Sequence, residues 1–213
     1  MAKCIQERLT VGPLQCNCVI LGDPVTKEAI VVDPGGDIDL VKFRLAELGL
    51  TCTSIIHTHA HLDHVCGTGD LQLATGAPVS LHEGDLPLLQ ALPMQAQMFR
   101  FPKPREVEVD RFLADANVVS AGELSASVIH TPGHTPGSLC FLVEGGPLIA
   151  GDTLFQGSIG RTDLWGGDFE AIMQSIRDRL MTLPDDTVVI PGHGPATTVG
   201  QEKQFNPFIR AYG

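Results

Sequence analysis

Apolar positions along this chain follow two rhythms. Short runs that alternate, or are apolar throughout, occupy residues 5–11, 16–21 and 29–33. Gly12-Pro13 follows the first, Asp23-Pro24 and Lys27-Glu28 separate the second from the third, and Pro34-Gly35-Gly36 closes the third. Runs bounded in this way predict an opening meander of strands. A helical rhythm comes next. Ile38, Val41, Leu45 and Leu48 fall on one face, with Asp37 placed as N-cap and Gly49 as stop. Residues 51–56 return as a strand, 68–73 predict a short helix ending near Gly76, and 79–81 predict another strand. This alternation of strand and helix argues for the α/β class.

Residues 83–104 carry Leu86, Leu88, Leu89, Leu92, Met94, Met98, Phe99 and Phe101 without one clear period, and prolines interrupt them. Two readings stay open: a surface excursion with its own small core, or a wall over a substrate pocket, built as a short helix and a loop. Strands are predicted again at 106–109, 125–129, 139–143 and 148–150. Asp168 is placed to cap a helix whose apolar face is Phe169, Ile172, Met173, Ile176 and Leu180. The last strand is expected at 187–190, and a short helix at most after 199. With no low-complexity linker, residues 1–213 read as a single domain of two pseudo-repeated halves.

Chemistry concentrates after the 51–56 strand, in Thr58-His59-Ala60-His61-Leu62-Asp63-His64. Three histidines and an aspartate in seven residues are hard to explain as packing, and imidazole and carboxylate are ligands for zinc and iron. His59 and His61, two apart, point to the same side of an extended segment. The adjacent Asp63 and His64 reach a common centre only if the chain turns. Helical ligand pairs want three- or four-residue spacing, so a loop is expected here. His134, Asp152 and His193 share one context: an apolar strand, a glycine, then the ligand. Seven ligands suit two metals. The assignment made here is His59, His61 and His134 for the first, Asp63, His64 and His193 for the second, with Asp152 as the bridge. Zinc is the expected ion, with iron and manganese as alternatives on the same donors.

Composition narrows the partners. Hydrophobic content is 43%, charged content 18% and net charge −11, which fits a globular chain and disfavours nucleic acid or an anionic membrane as partner. The six cysteines are scattered, Met1-Ala2-Lys3-Cys4 opens no leader pattern, and no apolar run is long enough to span a bilayer. A cytoplasmic protein with reduced thiols is the simplest expectation. Cys16-Asn17-Cys18 reads as strand and not as a thiolate ligand pair.

These residues resemble the metallo-β-lactamase superfamily: Thr-His-x-His-x-Asp-His at 58–64 matches its signature, and His134, Asp152 and His193 fall at its later motifs. The resemblance implies a four-layer αβ/βα sandwich with the metals at one edge between two sheets. Within the superfamily the chain is most similar to the glyoxalase II group, in its short, YcbL-type form. The segments that carry this likeness are Gln15-Cys16-Asn17-Cys18, Val32-Asp33-Pro34-Gly35-Gly36, Gly151-Asp152-Thr153-Leu154-Phe155, Gly160-Arg161-Thr162-Asp163, Gly166-Gly167-Asp168 and Asn206-Pro207-Phe208. Twenty residues follow His193, so the helical domain that holds glutathione in classical members is not expected. The implied activity is hydrolysis of a small thioester such as S-lactoylglutathione by a metal-bridging hydroxide, with Asp63 and Asp152 orienting the water. Persulfide dioxygenases share the fold and use one iron, which here would sit on His59, His134 and Asp152. Lactone hydrolysis is a second alternative, and a non-enzymatic binding protein a distant third.

The remaining candidates carry two readings each. Asp33 either holds its own turn or supports the ligand histidines from behind, and the second is preferred. His57 is expected to be buried and hydrogen-bonded, His130 to be structural, and His82 to lie on the surface or a pocket wall. Cys66, beside the ligand stretch, is the least settled of the cysteines. Arg161 either pairs with an acid such as Asp163 or binds a substrate carboxylate.

Overall fold

The computed structural model describes residues 4–212. Met1, Ala2 and Lys3, read above for a leader, lie outside the described residues, as does Gly213. The first half runs β1 (Ile5–Val11), β2 (Cys16–Gly22), β3 (Glu28–Val32), α1 (Ile38–Glu47), β4 (Thr51–Ile56), the one-turn α2 (Leu62–Val65), α3 (Thr68–Thr75), β5 (Val79–Leu81), α4 (Leu86–Gln90), α5 (Leu92–Phe99) and β6 (Arg111–Phe112). The second half runs β7 (Val118–Ala121), β8 (Leu124–His130), β9 (Leu139–Val143), β10 (Leu148–Gly151), β11 (Leu154–Phe155), β12 (Ser158–Ile159), α6 (Phe169–Ser175), a π-helical turn over Ile176–Leu180, β13 (Val188–Pro191), β14 (Thr197–Thr198), α7 (Val199–Phe205) and α8 (Pro207–Tyr212).

One six-stranded sheet has the order β1-β2-β3-β4-β5-β6, antiparallel through β3 and parallel beyond it. The other has the order β14-β13-β10-β9-β8-β7, with β10 and β13 its parallel pair. Side chains alternate across each sheet, so each has two apolar faces to cover. Val19, Leu21, Ile30 and Val32 meet Val128, Phe141, Ile149 and Ile190 between the sheets. Cys18, Ile20 and Val31 point outward onto Val41, Leu45 and Leu71 of α1 and α3. Cys140, Leu148 and Val189 point outward onto Ile172, Ile176, Leu180 and Val199. The layers are therefore helix, sheet, sheet, helix, the four-layer sandwich implied by the motifs. Each fully buried Ile or Leu here contributes about 1.5–3 kcal/mol. Among the described residues, no helix is long and apolar enough to cross a membrane.

Several expectations change in detail. Asp37 does precede α1, but its backbone is left-handed (φ 48°) and its side chain caps nothing. The carboxylate accepts instead from the N–H of Gly12, tying the β1–β2 turn to the start of the helix. Residues 106–109 are extended without being a strand: Glu108 bonds both ways to the side-chain amide of Gln72 on α3, and backbone pairing with β5 begins at Asp110, whose N–H donates to Val79 O at 2.9 Å. β7 arises where no strand was predicted. The tail forms two helices, α7 and α8, because Ile209 and the half-buried Phe208 reach the outer face of the second sheet.

Candidate metal centre

The parallel pairs decide where the candidate ligands emerge. β3 and β4 run side by side and deliver Asp33 and the 57–64 segment to one edge of the first sheet. β10 and β13 do the same for Asp152 and His193 in the second. The two edges are joined there by backbone bonds, Asn17 N–H to Gly192 O at 2.7 Å and Leu139 N–H to Thr58 O at 2.7 Å, while Gly192 N–H to Gly151 O at 2.8 Å ties β13 to β10 within the second sheet. His59 and His61 lie in the extended segment. Asp63 and His64 lie on α2 and not on a loop, because a single helical turn swings two adjacent side chains inward.

All seven residues converge. The ligand atoms of His59, His61 and His134 lie within 4.8 Å of one another, as do those of Asp63, His64 and His193, and as do those of His59, His64 and Asp152 between them. Asp152 faces both clusters: Oδ1 is 3.4 Å from His64 Nε2, and Oδ2 is 3.6 Å from His134 Nε2 and 3.8 Å from His193 Nε2. Asp63 Oδ2 is 3.1 Å from His193 Nε2. The first cluster lies deep, with His59 and His134 buried, while His193 and Asp63 keep 27% and 17% of their side chains open to solvent.

The rings are aimed by what lies behind them. His134 Nδ1 donates to Arg161 O at 2.8 Å, His193 Nδ1 to Gln15 O at 3.2 Å, and His64 Nδ1 to Asp33 Oδ2 at 3.0 Å. Thr58 Oγ1 donates to Asp33 Oδ2 at 2.6 Å and so accepts from His59 Nδ1 at 3.1 Å. Fixing the outer nitrogen leaves Nε2 of these four rings as the inward lone pair. His61 presents Nδ1, 2.9 Å from His134 Nε2. Unprotonated nitrogens this close repel unless a cation joins them.

The donor set fits metal on two further counts. His59 Nε2 and Asp152 Oδ1 are buried polar atoms without a partner among the described residues, and such atoms are costly unless something coordinates them. The charge states of the first cluster and of the two carboxylates also suit. Burial, then the neighbouring imidazoles, hold His59 well below the ordinary imidazole value and His61 down at about 3. Burial opposes the charge on Asp63 and Asp152, but the surrounding histidines outweigh it and keep both carboxyls below their usual value. Burial lowers His64 and His193 too, but Cys16, Asp152 and Asp33 around His64, and Asp63 and Asp152 around His193, outweigh it and hold both above the ordinary imidazole value, so these two rings give up a proton when a divalent cation takes their Nε2.

The supporting residues divide into expected and unexpected. Asp33 sits behind the site as anticipated, buried and bonded to Thr58 and His64. His57 is buried on Thr68 Oγ1 at 3.1 Å. His82 and His130 stack with centroids 4.1 Å apart, and His130 Nε2 donates to Pro136 O. The Arg161 guanidinium forms two bonds to the Asp163 carboxylate, at 2.7 and 2.8 Å, while its carbonyl orients His134. Within residues 83–104, Leu88, Leu89, Leu92 and Ala96 form a small core with Ala60, Leu62 and Val65, and Gln95 Oε1 accepts from Leu62 N–H. The segment braces the ligand stretch from outside.

Two residues that hold the loops of the candidate centre escaped sequence reasoning. Asn17 donates through Nδ2 to Pro191 O at 2.9 Å and Gly194 O at 3.0 Å, holding the His193 turn. A lone amide inside an apolar strand was its signal. Asp85 is fully buried and accepts from Ala60 N–H, Thr135 Oγ1 and Gly137 N–H. Its signal was a carboxylate directly before a leucine-rich helix.

Comparison with known proteins agrees with this geometry. The family model described as metallo-beta-lactamase superfamily matches residues 11–193. The hydroxyacylglutathione hydrolase GloC of Haemophilus influenzae is 39% identical, over 96% of this chain and 98% of the relative. The human mitochondrial persulfide dioxygenase ETHE1 is 28% identical, over 92% of this chain and 72% of that one. The crystal structure of the BLEG-1 B3 metallo-β-lactamase superposes with a TM-score of 0.89 at 38% identity, covering 96% of this chain and 99% of its own. That of TTHA1623 in a di-iron-bound form gives 0.85 at 38%, covering 95% and 99%.

Proposed function

The chain belongs to the metallo-β-lactamase superfamily, and from that premise we propose that this metal-dependent hydrolase cleaves thioesters of the hydroxyacylglutathione type, such as S-lactoylglutathione, to the acid and the free thiol. The observation that carries the proposal is the position of Asp152, whose two oxygens face two separate triads of ligands. The likeness to GloC across nearly both full lengths supports the substrate class.

His59, His61 and His134 would hold one divalent ion, Asp63, His64 and His193 the other, and Asp152 both. Zinc, iron and manganese all suit these donors. Ions bound there supply an acidified water, its pKa lowered from about 16 toward about 7, and a Lewis acid for the carbonyl. The protein's own groups do the rest. Asp63 and Asp152 accept hydrogen bonds from the attacking water and orient it, while the ring nitrogens fixed from behind hold the geometry against relaxation. Covalent catalysis by cysteine is disfavoured: Cys16, the thiol beside His64, is buried, and burial pushes it up to about 11. A single-iron centre on His59, His134 and Asp152 would leave His61, Asp63, His64 and His193 converging without a task, so the two-metal reading is preferred.

The test is chelation and return. Protein stripped of metal should lose at least about 100-fold in thiol release from S-lactoylglutathione, since metal chemistry supplies several kcal/mol of the rate. Added zinc, iron(II) or manganese should restore it. Hydrolysis that survives stripping would contradict the proposal.

A further inference from the structure

We propose that Asp85 is a positioning residue that sets the spacing of the first histidine cluster, by seating the loop of His59 and His61 and the loop of His134 on one carboxylate. The inference rests on the two-metal reading above. Oδ2 accepts from the N–H of Ala60 at 2.9 Å, and Ala60 is the residue between His59 and His61. The same oxygen accepts from Thr135 Oγ1 at 2.9 Å, and Thr135 directly follows His134. Oδ1 accepts from the N–H of Gly137 at 2.7 Å. Each of the three histidines is therefore adjacent in sequence to a group that Asp85 holds.

The chemistry requires a carboxylate there. Asp85 is fully buried, with no ion pair among the described residues, so its charge is met by three donors alone. Bonds to an ionised acceptor are roughly twice as strong as neutral ones. Asparagine would keep one acceptor oxygen and turn an NH2 toward at least one of the same donors, leaving a buried N–H or hydroxyl unpaired. The carboxylate is itself held: Leu88 and Leu89, just beyond it on α4, pack against Ala60 and Leu62, and Asp85 N–H donates to His82 O. The approach on the other side is equally close, because a Cβ on Gly137 would lie 2.7 Å from the Asp85 carboxyl carbon.

Calorimetric titration of the chelator-stripped full chain with zinc tests this. Wild type should take up two equivalents. Asp85→Asn should bind one equivalent as wild type does and the other about 10–100-fold more weakly, the range expected when a group that orients ligands is lost. Adding His61→Ala to Asp85→Asn should leave the retained equivalent intact, whereas adding His193→Ala should remove it. Thr135→Val, which deletes one of the three bonds and decides the matter should Asp85→Asn fail to fold, should weaken the same equivalent by a smaller factor. Equal weakening of both equivalents, or of neither, in a folded variant overturns the role. A wild-type count other than two overturns the metal reading itself, and the inference with it, before any variant is measured.

Discussion

Asp33 and His64 meet at 3.0 Å behind the centre, carboxylate Oδ2 to ring Nδ1, with both side chains almost wholly buried. The same Oδ2 takes the Thr58 hydroxyl at 2.6 Å, and through it sets the ring of His59. One residue at the end of β3 thus orients a histidine in each cluster. Removing one partner of a buried charged network costs about 3–5 kcal/mol. Asp33→Ala should lower the unfolding free energy of the metal-free protein by that amount in urea titrations. A loss below about 1 kcal/mol would mean that the network is dispensable to the fold.

Gly160 lies where no side chain fits. A Cβ built there would sit 1.8 Å from the carbonyl oxygen of Asp152 and 3.2 Å from Cβ of His134. Gly160→Ala should push the Asp152 loop away from the clusters. A displacement of about 1 Å at reacting groups costs on the order of 100-fold in rate, so kcat/KM should fall by about that factor with the circular dichroism unchanged.

The thiols should separate by burial and pH. Burial pushes Cys52 and Cys140 up to about 11. At pH 8 only about one in a thousand of each would be thiolate, the reactive form, and the fraction grows tenfold per pH unit up to that value. Cys4 and Cys66 are only half-buried. Alkylation of the native protein at pH 8, read by mass spectrometry, should mark Cys4 and Cys66 and spare Cys52 and Cys140.

The Arg161 guanidinium is already paired with Asp163, both ends exposed. Binding of a substrate carboxylate would require Asp163 to release it. Arg161→Ala is therefore expected to change KM for an anionic thioester by less than about fivefold, since exposed ion pairs are worth about 1 kcal/mol or less. A larger rise in KM for an anionic thioester but not for a neutral one would restore the carboxylate-binding role.

The seven converging residues were readable because each announces itself locally. His59, His61, Asp63 and His64 crowd one segment, and His134, Asp152 and His193 each follow a strand and a glycine. The layered fold was readable because each strand and helix carries its own apolar period. What escaped depends on partners remote in sequence. Nothing near Asp37 reveals that its carboxylate belongs to Gly12, nothing near Glu108 reveals Gln72, and nothing near Asp85 reveals Thr135 and Gly137, some fifty residues on. The helical turn of α2 also hid in its pattern, since four residues carry no period.

The most direct measurement is metal content of protein purified without added metal, paired with rates on S-lactoylglutathione and on glutathione persulfide under oxygen. The account predicts two metal ions per chain, with thioester hydrolysis and no oxygen uptake. One iron per chain, with oxygen consumed on the persulfide, would contradict it.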